Sequence, residues 1–192
     1  GGKGIKGMQT REEDVVTKLF LSSNHSYLLY FTDMGRVYRT KTYNIPEAGR
    51  TAKGTPVVNI IEKSPEEKIS EIIPVKEFSD NEYLVMVTKN GVIKKTSLEQ
   101  YSRPRQNGVN AITIREDDRV IEVRMTNGNN EIIIANRNGR AIRFHEAAVR
   151  VMGRTATGVR GITLDDDGQD EVIGMICIKD LETESVMVVS EQ

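Results

Sequence analysis

The chain has no tryptophan, one cysteine and two histidines in 192 residues, and only 5% of its residues are aromatic. Each shortage excludes something. A single thiol forms no internal disulfide, and Cys177, set in the apolar run Val172 to Ile178, reads as a buried structural thiol. Two histidines, His25 and His145, make no His/Cys cluster for a metal and are read as polar turn residues. No stretch of eighteen apolar residues exists to cross a bilayer as a helix. No leader peptide is visible and residue 1 is Gly, so the chain is expected to be an excised part of a longer one. There is no G-x-x-x-x-G-K-[ST] phosphate loop and no Ser/His/Asp or paired-carboxylate arrangement. Asp165-Asp166-Asp167-Gly168 hints at a calcium loop, but the glycine is misplaced and the twelfth position is Ile176. The expectation is a domain with no catalytic residue, no metal and no cofactor of its own.

Net charge is -1, which excludes a simple polycation that coats nucleic acid. Hydrophobic residues make up 38% and charged residues 29%, an ordinary globular balance.

What the chain does have is an internal repeat. Tyr27 to Thr40 (YLLYFTDMGRVYRT), Tyr83 to Thr96 (YLVMVTKNGVIKKT) and Glu131 to Phe144 (EIIIANRNGRAIRF) align without gaps on Gly35, Gly91 and Gly139. A further copy starts at Ser185. A second glycine element recurs as Arg50 to Ile60, Pro104 to Ile114 and Arg154 to Leu164, aligned on Gly54, Gly108 and Gly158. A third element is an apolar run: Val15–Phe20, Ile69–Pro74, Val120–Met125 and Val172–Cys177. Gly35 to Gly91 is 56 residues and Gly91 to Gly139 is 48. About fifty residues per unit, rich in short strands, is the scale of a propeller blade.

Apolar runs rich in β-formers, each followed by a Gly-bearing turn (Asp33-Met34-Gly35, Lys89-Asn90-Gly91, Arg137-Asn138-Gly139), predict β-hairpins. No long helical periodicity is present, and His145 to Met152 is expected to hold at most a turn or two of helix. The predicted fold is therefore all-β: a propeller-like array of four-stranded blades, three and a half to four in number. Residues 1–13 form a lead-in, and the blade repeats fall near 14–67, 68–118, 119–170 and 171–192, the last incomplete. A blade needs neighbours to cover its faces, so further blades are expected.

Charge is segregated in register with the repeat. The stretches from each hairpin glycine through the second glycine element carry Arg36, Arg39, Lys41, Arg50 and Lys53; Lys94, Lys95, Arg103 and Arg105; and Arg140, Arg143, Arg150, Arg154 and Arg160. Only Glu47, Glu99 and Glu146 oppose these fourteen. Acidic residues such as Glu62, Glu66, Glu67 and Glu71, and then Asp165, Asp166, Asp167 and Asp170, sit in the linking segments. Equivalent positions in a blade array land on equivalent faces, so a basic edge should run from blade to blade. Such an edge suits the phosphate backbone of duplex DNA, contacted for position rather than sequence. No recognition helix or aromatic single-strand platform is evident.

The phrases Gly35-Arg36-Val37-Tyr38, Val92-Ile93-Lys94-Lys95-Thr96 and Gly158-Val159-Arg160-Gly161-Ile162 resemble blade motifs of the C-terminal domain of the DNA gyrase A subunit. The resemblance covers essentially the whole chain. The opening Gly1-Gly2-Lys3-Gly4 is similar to the last four residues of that family's box, Gln-Arg-Arg-Gly-Gly-Lys-Gly, with Lys3 and Lys6 as its local cations. The resemblance implies a β-pinwheel, usually of six blades that exchange strands, with duplex DNA wrapped in a right-handed sense around a basic rim. It also implies work inside an A2B2 holoenzyme, beside the gyrase B subunit, in the bacterial cytoplasm at the nucleoid and away from membranes. ATP and magnesium belong to other domains of that enzyme, and its cleavage tyrosine lies outside this chain, so Tyr38, Tyr43 and Tyr101 are not assigned that role. On this reading the DNA-binding set is Lys3, Lys6, Arg36, Arg39, Lys41, Arg50, Lys53, Lys94, Lys95, Arg103, Arg105, Arg140, Arg143, Arg154 and Arg160. Two rivals stand beside it. The C-terminal domain of the topoisomerase IV A subunit shares the blades but usually lacks an intact box. A propeller-like protein-interaction scaffold would carry no registered basic edge.

Overall fold

The computed structural model describes residues 26–41 and 61–179. The box remnant Gly1–Gly4, Lys3, Lys6, the run Val15–Phe20, the element around Gly54 with Arg50 and Lys53, and the copy from Ser185 lie outside those residues.

Eleven strands form three sheets among the described residues. The predicted hairpins are β1 (Tyr27–Thr32) with β2 (Arg36–Lys41), β4 (Tyr83–Thr88) with β5 (Val92–Ser97), and β8 (Asn130–Asn136) with β9 (Ala141–His145). Each turns through a glycine at positive φ, 83° at Gly35, 91° at Gly91 and 88° at Gly139. The last residue of each first strand secures the turn: the Thr32 and Thr88 hydroxyls and the Asn136 amide oxygen accept from the backbone N–H of Arg36, Val92 and Arg140. Among the described residues, helix is limited to two 3-10 turns, Leu98–Tyr101 and Glu146–Ala148. The second falls where a turn or two was expected.

The apolar runs are β3 (Ile69–Val75), β7 (Val120–Thr126) and β11 (Val172–Lys179). Each pairs antiparallel with the hairpin before it in the chain: β3 with β1, β7 with β4, β11 with β8. The second glycine elements supply two-residue strands, β6 (Val109–Asn110) and β10 (Val159–Arg160), and these travel. β6 joins β2 of the first sheet, and β10 joins β5 of the second. Sheet orders are therefore β3-β1-β2-β6, β10-β5-β4-β7 and β11-β8-β9. Each sheet takes its hairpin from one sequence repeat and its flanking strands from the next.

Packing explains why the strand sequences read as they do. Leu84 and Met86 of β4 face the first sheet in a core with Leu29, Phe31, Val37, Ile73, Val75, Ile112 and Val123. Val85 and Val87 face the third sheet, with Ile93, Ile132, Ile134, Ile162, Val172 and Met175. β4, covered on both faces, is apolar from Leu84 through Val87, whereas β8 alternates buried and half-buried residues. Each fully buried Leu or Ile contributes about 1.5–3 kcal/mol. The strands β3, β7 and β11 lie side by side and define the inner edge of the array. There Arg124 pairs with Glu71 of the first sheet at 2.7 Å and with Glu122 at 2.8 Å. β6 and β10 lie at the opposite, outer edge.

Candidate nucleic-acid interface

The outer edge is built by the exchanged segments. The carbonyl of Gly35 accepts from the N–H groups of Ala111 and Ile112, and the carbonyl of Gly91 accepts from those of Gly161 and Ile162. These repeated pairs anchor the two described second glycine elements on the hairpin turn of the repeat before. Gly158 itself has φ 99°, and a Cβ there would lie 2.6 Å from the Ile93 carbonyl oxygen, so the close approach requires glycine.

Two open grooves on this edge collect arginines. The first, of about 390 Å³, is lined by Arg36, Arg105 and Arg154 together with Asn107, Asn110 and Thr155. The second, about 330 Å³, lies between Arg140, just before β9, with Ile142 of β9, and the segment Arg160–Thr163. The structure thus brings together five of the predicted residues. Arg105 and Arg160 are exposed, as is Arg103 nearby in sequence, and none of the three has an acidic partner among the described residues.

The other predicted cations among the described residues are committed to the protein. Arg36 donates to the carbonyls of Asn107 (2.7 Å) and Gly108 (2.9 Å) and lies 3.7 Å from Glu67. Arg154 donates to the carbonyl of Asn110. Arg39 donates to the Ser102 carbonyl and lies over the Tyr27 ring at 4.8 Å. Lys41 is half-buried. Arg140 pairs with Asp165, and Arg143 with Glu131 at 3.1 Å.

Lys94 and Lys95 depart from the expected basic edge, because both are buried, at 0% and 4% exposure. Their strand is covered on both faces, so neither side chain reaches solvent. Lys94 Nζ donates to the Tyr101 hydroxyl (3.1 Å) and to the carbonyls of Ala111 (2.5 Å) and Arg154 (2.6 Å). Burial, with the Arg154 charge adding to it, pushes the Lys94 amine down to about 7. Burial likewise raises the Tyr101 hydroxyl. Lys95 Nζ lies 3.3 Å from the carboxylate of Glu146, which is fully buried and also accepts from the Thr126 hydroxyl and the Asn130 N–H. This pair joins the second sheet to the third. Its sequence signal was Glu146 itself, the lone acid in a basic stretch.

Glu67, one of the acids of the linking segments, is also buried. It accepts from the Tyr38 hydroxyl (2.6 Å), the Thr32 hydroxyl and the Ser64 N–H. Burial first, then the Glu67 bond, raises the Tyr38 hydroxyl pKa. Asn107 and Asn110, which line the first groove, were missed because neutral residues beside a glycine carry no charge signal.

A set of aspartates gathers at the hairpin-turn end. Asp33 accepts from the Lys68 N–H, Asp118 from that of Asn90, and Asp170 from that of Asn138. Asp165 and Asp167 both accept from the Asn138 side-chain amide. Hydrogen bonds hold Asp167 below the usual carboxylate range, with the Gln169 N–H first among them. No three-residue His/Cys/Asp/Glu group suited to a metal occurs among the described residues. The Cys177 thiol is half-buried and pushed up to about 12 by burial, which fits an unreactive structural role. No helix among the described residues is long and apolar enough to cross a membrane.

Comparisons with known proteins agree with this architecture. A family described as "DNA gyrase C-terminal domain, beta-propeller" matches residues 1–23, 26–76, 82–127 and 130–179. The DNA gyrase A subunit of Halalkalibacterium halodurans is 51% identical over 163 residues, 85% of this chain and 20% of the relative. Its counterpart from Staphylococcus aureus is 46% identical over all 192 residues, 21% of its own length. The chain thus spans about a fifth of the curated relatives it matches. Among solved structures, the C-terminal domain of DNA topoisomerase IV is similar with a TM-score of 0.74 at 32% identity, over 82% of this chain and 48% of that one. A DNA gyrase A C-terminal domain gives a TM-score of 0.65 at 23% identity, over 80% of this chain and 48% of that one, a likeness of fold alone. With the sheets, the repeat and the matched residues in accord, the chain belongs to the DNA gyrase C-terminal domain, beta-propeller family.

Proposed function

We propose that this chain is a non-catalytic DNA-binding and DNA-wrapping part of the A polypeptide of DNA gyrase. The observation that supports it most is the outer-edge groove in which Arg36, Arg105 and Arg154 converge, with the Arg140–Arg160 groove on the next blade. Arginines spaced blade by blade match a regular line of phosphates. Bending a 20–30 base-pair site through 40–90° costs on the order of 1–6 kcal/mol, and counterion release along the arc offsets it. Wrapping supplies the chiral crossing that the rest of an A2B2 gyrase uses for ATP-dependent supercoiling, in the cytoplasm. The wrapping part needs no cofactor, and strand cleavage belongs to other parts of the enzyme.

A second reading, the matching domain of topoisomerase IV, is supported by the 0.74 TM-score to such a domain. One experiment separates them. A nicked plasmid is sealed with the chain bound, stripped of protein and read for linking number. A positive linking difference that grows with protein is the expected result for gyrase-type wrapping. Binding without a linking change supports the topoisomerase IV reading, and no binding at all removes both.

A further inference from the structure

Lys94 is a fully buried amine, yet it bonds the backbone of Arg154, which lines the first groove. Its Nζ bonds the carbonyl of Ala111, next to β6, and the carbonyl of Arg154, five residues before β10. Those carbonyls belong to two different exchanged segments. The first segment docks on the first sheet and carries Arg105; the second docks on the second sheet and carries Arg154. Four carbonyls of the first segment are held by side-chain cations: Asn107 and Gly108 by Arg36, Asn110 by Arg154, and Ala111 by Lys94. The Tyr101 hydroxyl, 3.1 Å from Nζ, also donates to Ala111. A short edge strand leaves carbonyls bare, and buried ones must be paired.

We propose that Lys94 is a positioning residue that clasps consecutive exchanged segments together from inside and so sets Arg105 and Arg154 in one groove. It touches no DNA itself. The inference rests on the groove being the phosphate-facing edge only for its effect on binding; the clasp stands on the contacts alone. It holds in either charge state, because a neutral amine still donates to both carbonyls while the Tyr101 hydroxyl turns to donate to Nζ.

The test is amide hydrogen exchange on the full 192-residue chain, comparing Lys94→Met with the unaltered protein. Expected is at least tenfold faster exchange in both exchanged segments, residues 109–112 and 159–162, with β4 and β8 still protected. Duplex affinity should fall three- to tenfold. The double variant Lys94→Met/Arg154→Gln should bind more weakly than Arg154→Gln by less than the factor that Lys94→Met costs alone, because only the loss through Arg105 remains. Unchanged exchange in both segments overturns the clasp, as does full additivity with Arg154→Gln. Faster exchange with unchanged DNA affinity supports the clasp and counts against the DNA-binding reading instead. If Lys94→Met does not fold, Tyr101→Phe, which keeps the amine but removes the hydroxyl contact, should show the same two segments loosened to a smaller degree. Protection unchanged in that variant overturns the proposal.

Discussion

At the residue scale, buried cations divide into one that is compensated by charge and one that is not. Lys95 has Glu146, itself held by Thr126 and Asn130. Removing one partner strands a buried charge, so Lys95→Met should cost about 3–5 kcal/mol in denaturant unfolding. Lys95→Met combined with Glu146→Gln should recover part of that loss. Lys94 faces only neutral acceptors and the like charge of Arg154, and its pKa is pushed down to about 7. In the unfolded chain it titrates near 10.4. Above about pH 7 the folded chain sheds a proton that the unfolded chain keeps, so this group makes stability rise with pH from there and leaves it level below. From about pH 7 to 8.5 the gain should be on the order of 1–2 kcal/mol, and Lys94→Met should flatten it. The Cys177 thiol, raised by burial, opposes this only from about pH 9 upward, where the unfolded thiol ionises.

At the element scale, glycines at similar φ have different tasks. Gly158 (φ 99°) is pressed against the Ile93 carbonyl, whereas Gly139 (φ 88°) has nothing within 4 Å of a hypothetical Cβ. Gly139→Ala should therefore cost only the backbone strain, about 1–2 kcal/mol. Gly158→Ala should add the clash and cost roughly 2–5 kcal/mol. Thermal melts of the two variants check the order; equal losses would mean that the neighbouring blade yields to the added methyl without cost. The hairpins were legible in the sequence because alternation, β-branched residues and turn glycines are local signals. The partner of each exchanged strand was not. Val109-Asn110 and Val159-Arg160 are two residues long, and what fixes them is a carbonyl on another blade.

At the scale of the whole molecule, the question is which cations a duplex can reach. Arg105 and Arg160 are exposed without an acidic partner among the described residues, whereas Arg119 and Arg137 lie at the acid-lined turn end. Arg105→Gln with Arg160→Gln should weaken duplex binding and lower the slope of log K against log salt by about 0.9 per lost phosphate contact. Arg119→Gln with Arg137→Gln should leave both unchanged. A titration at several salt concentrations decides between a localised edge and a diffuse surface effect.

The sequence by itself determined the repeat, the all-β class, the hairpins and the register of charge with the blades, since all of these are periodic along the chain. Its charge register assigned fourteen cations to one edge, and Arg36, Arg105, Arg140, Arg154 and Arg160 among them line the outer-edge grooves. Only the tertiary structure decided that Lys94 and Lys95 turn inward, that Glu67 and Glu146 are buried acceptors, and that a sheet borrows its outer strand from the next repeat. The physical reason is common to all three. A charge pattern records which residues are ionisable, but whether a charge meets water depends on what the neighbouring blade lays over it.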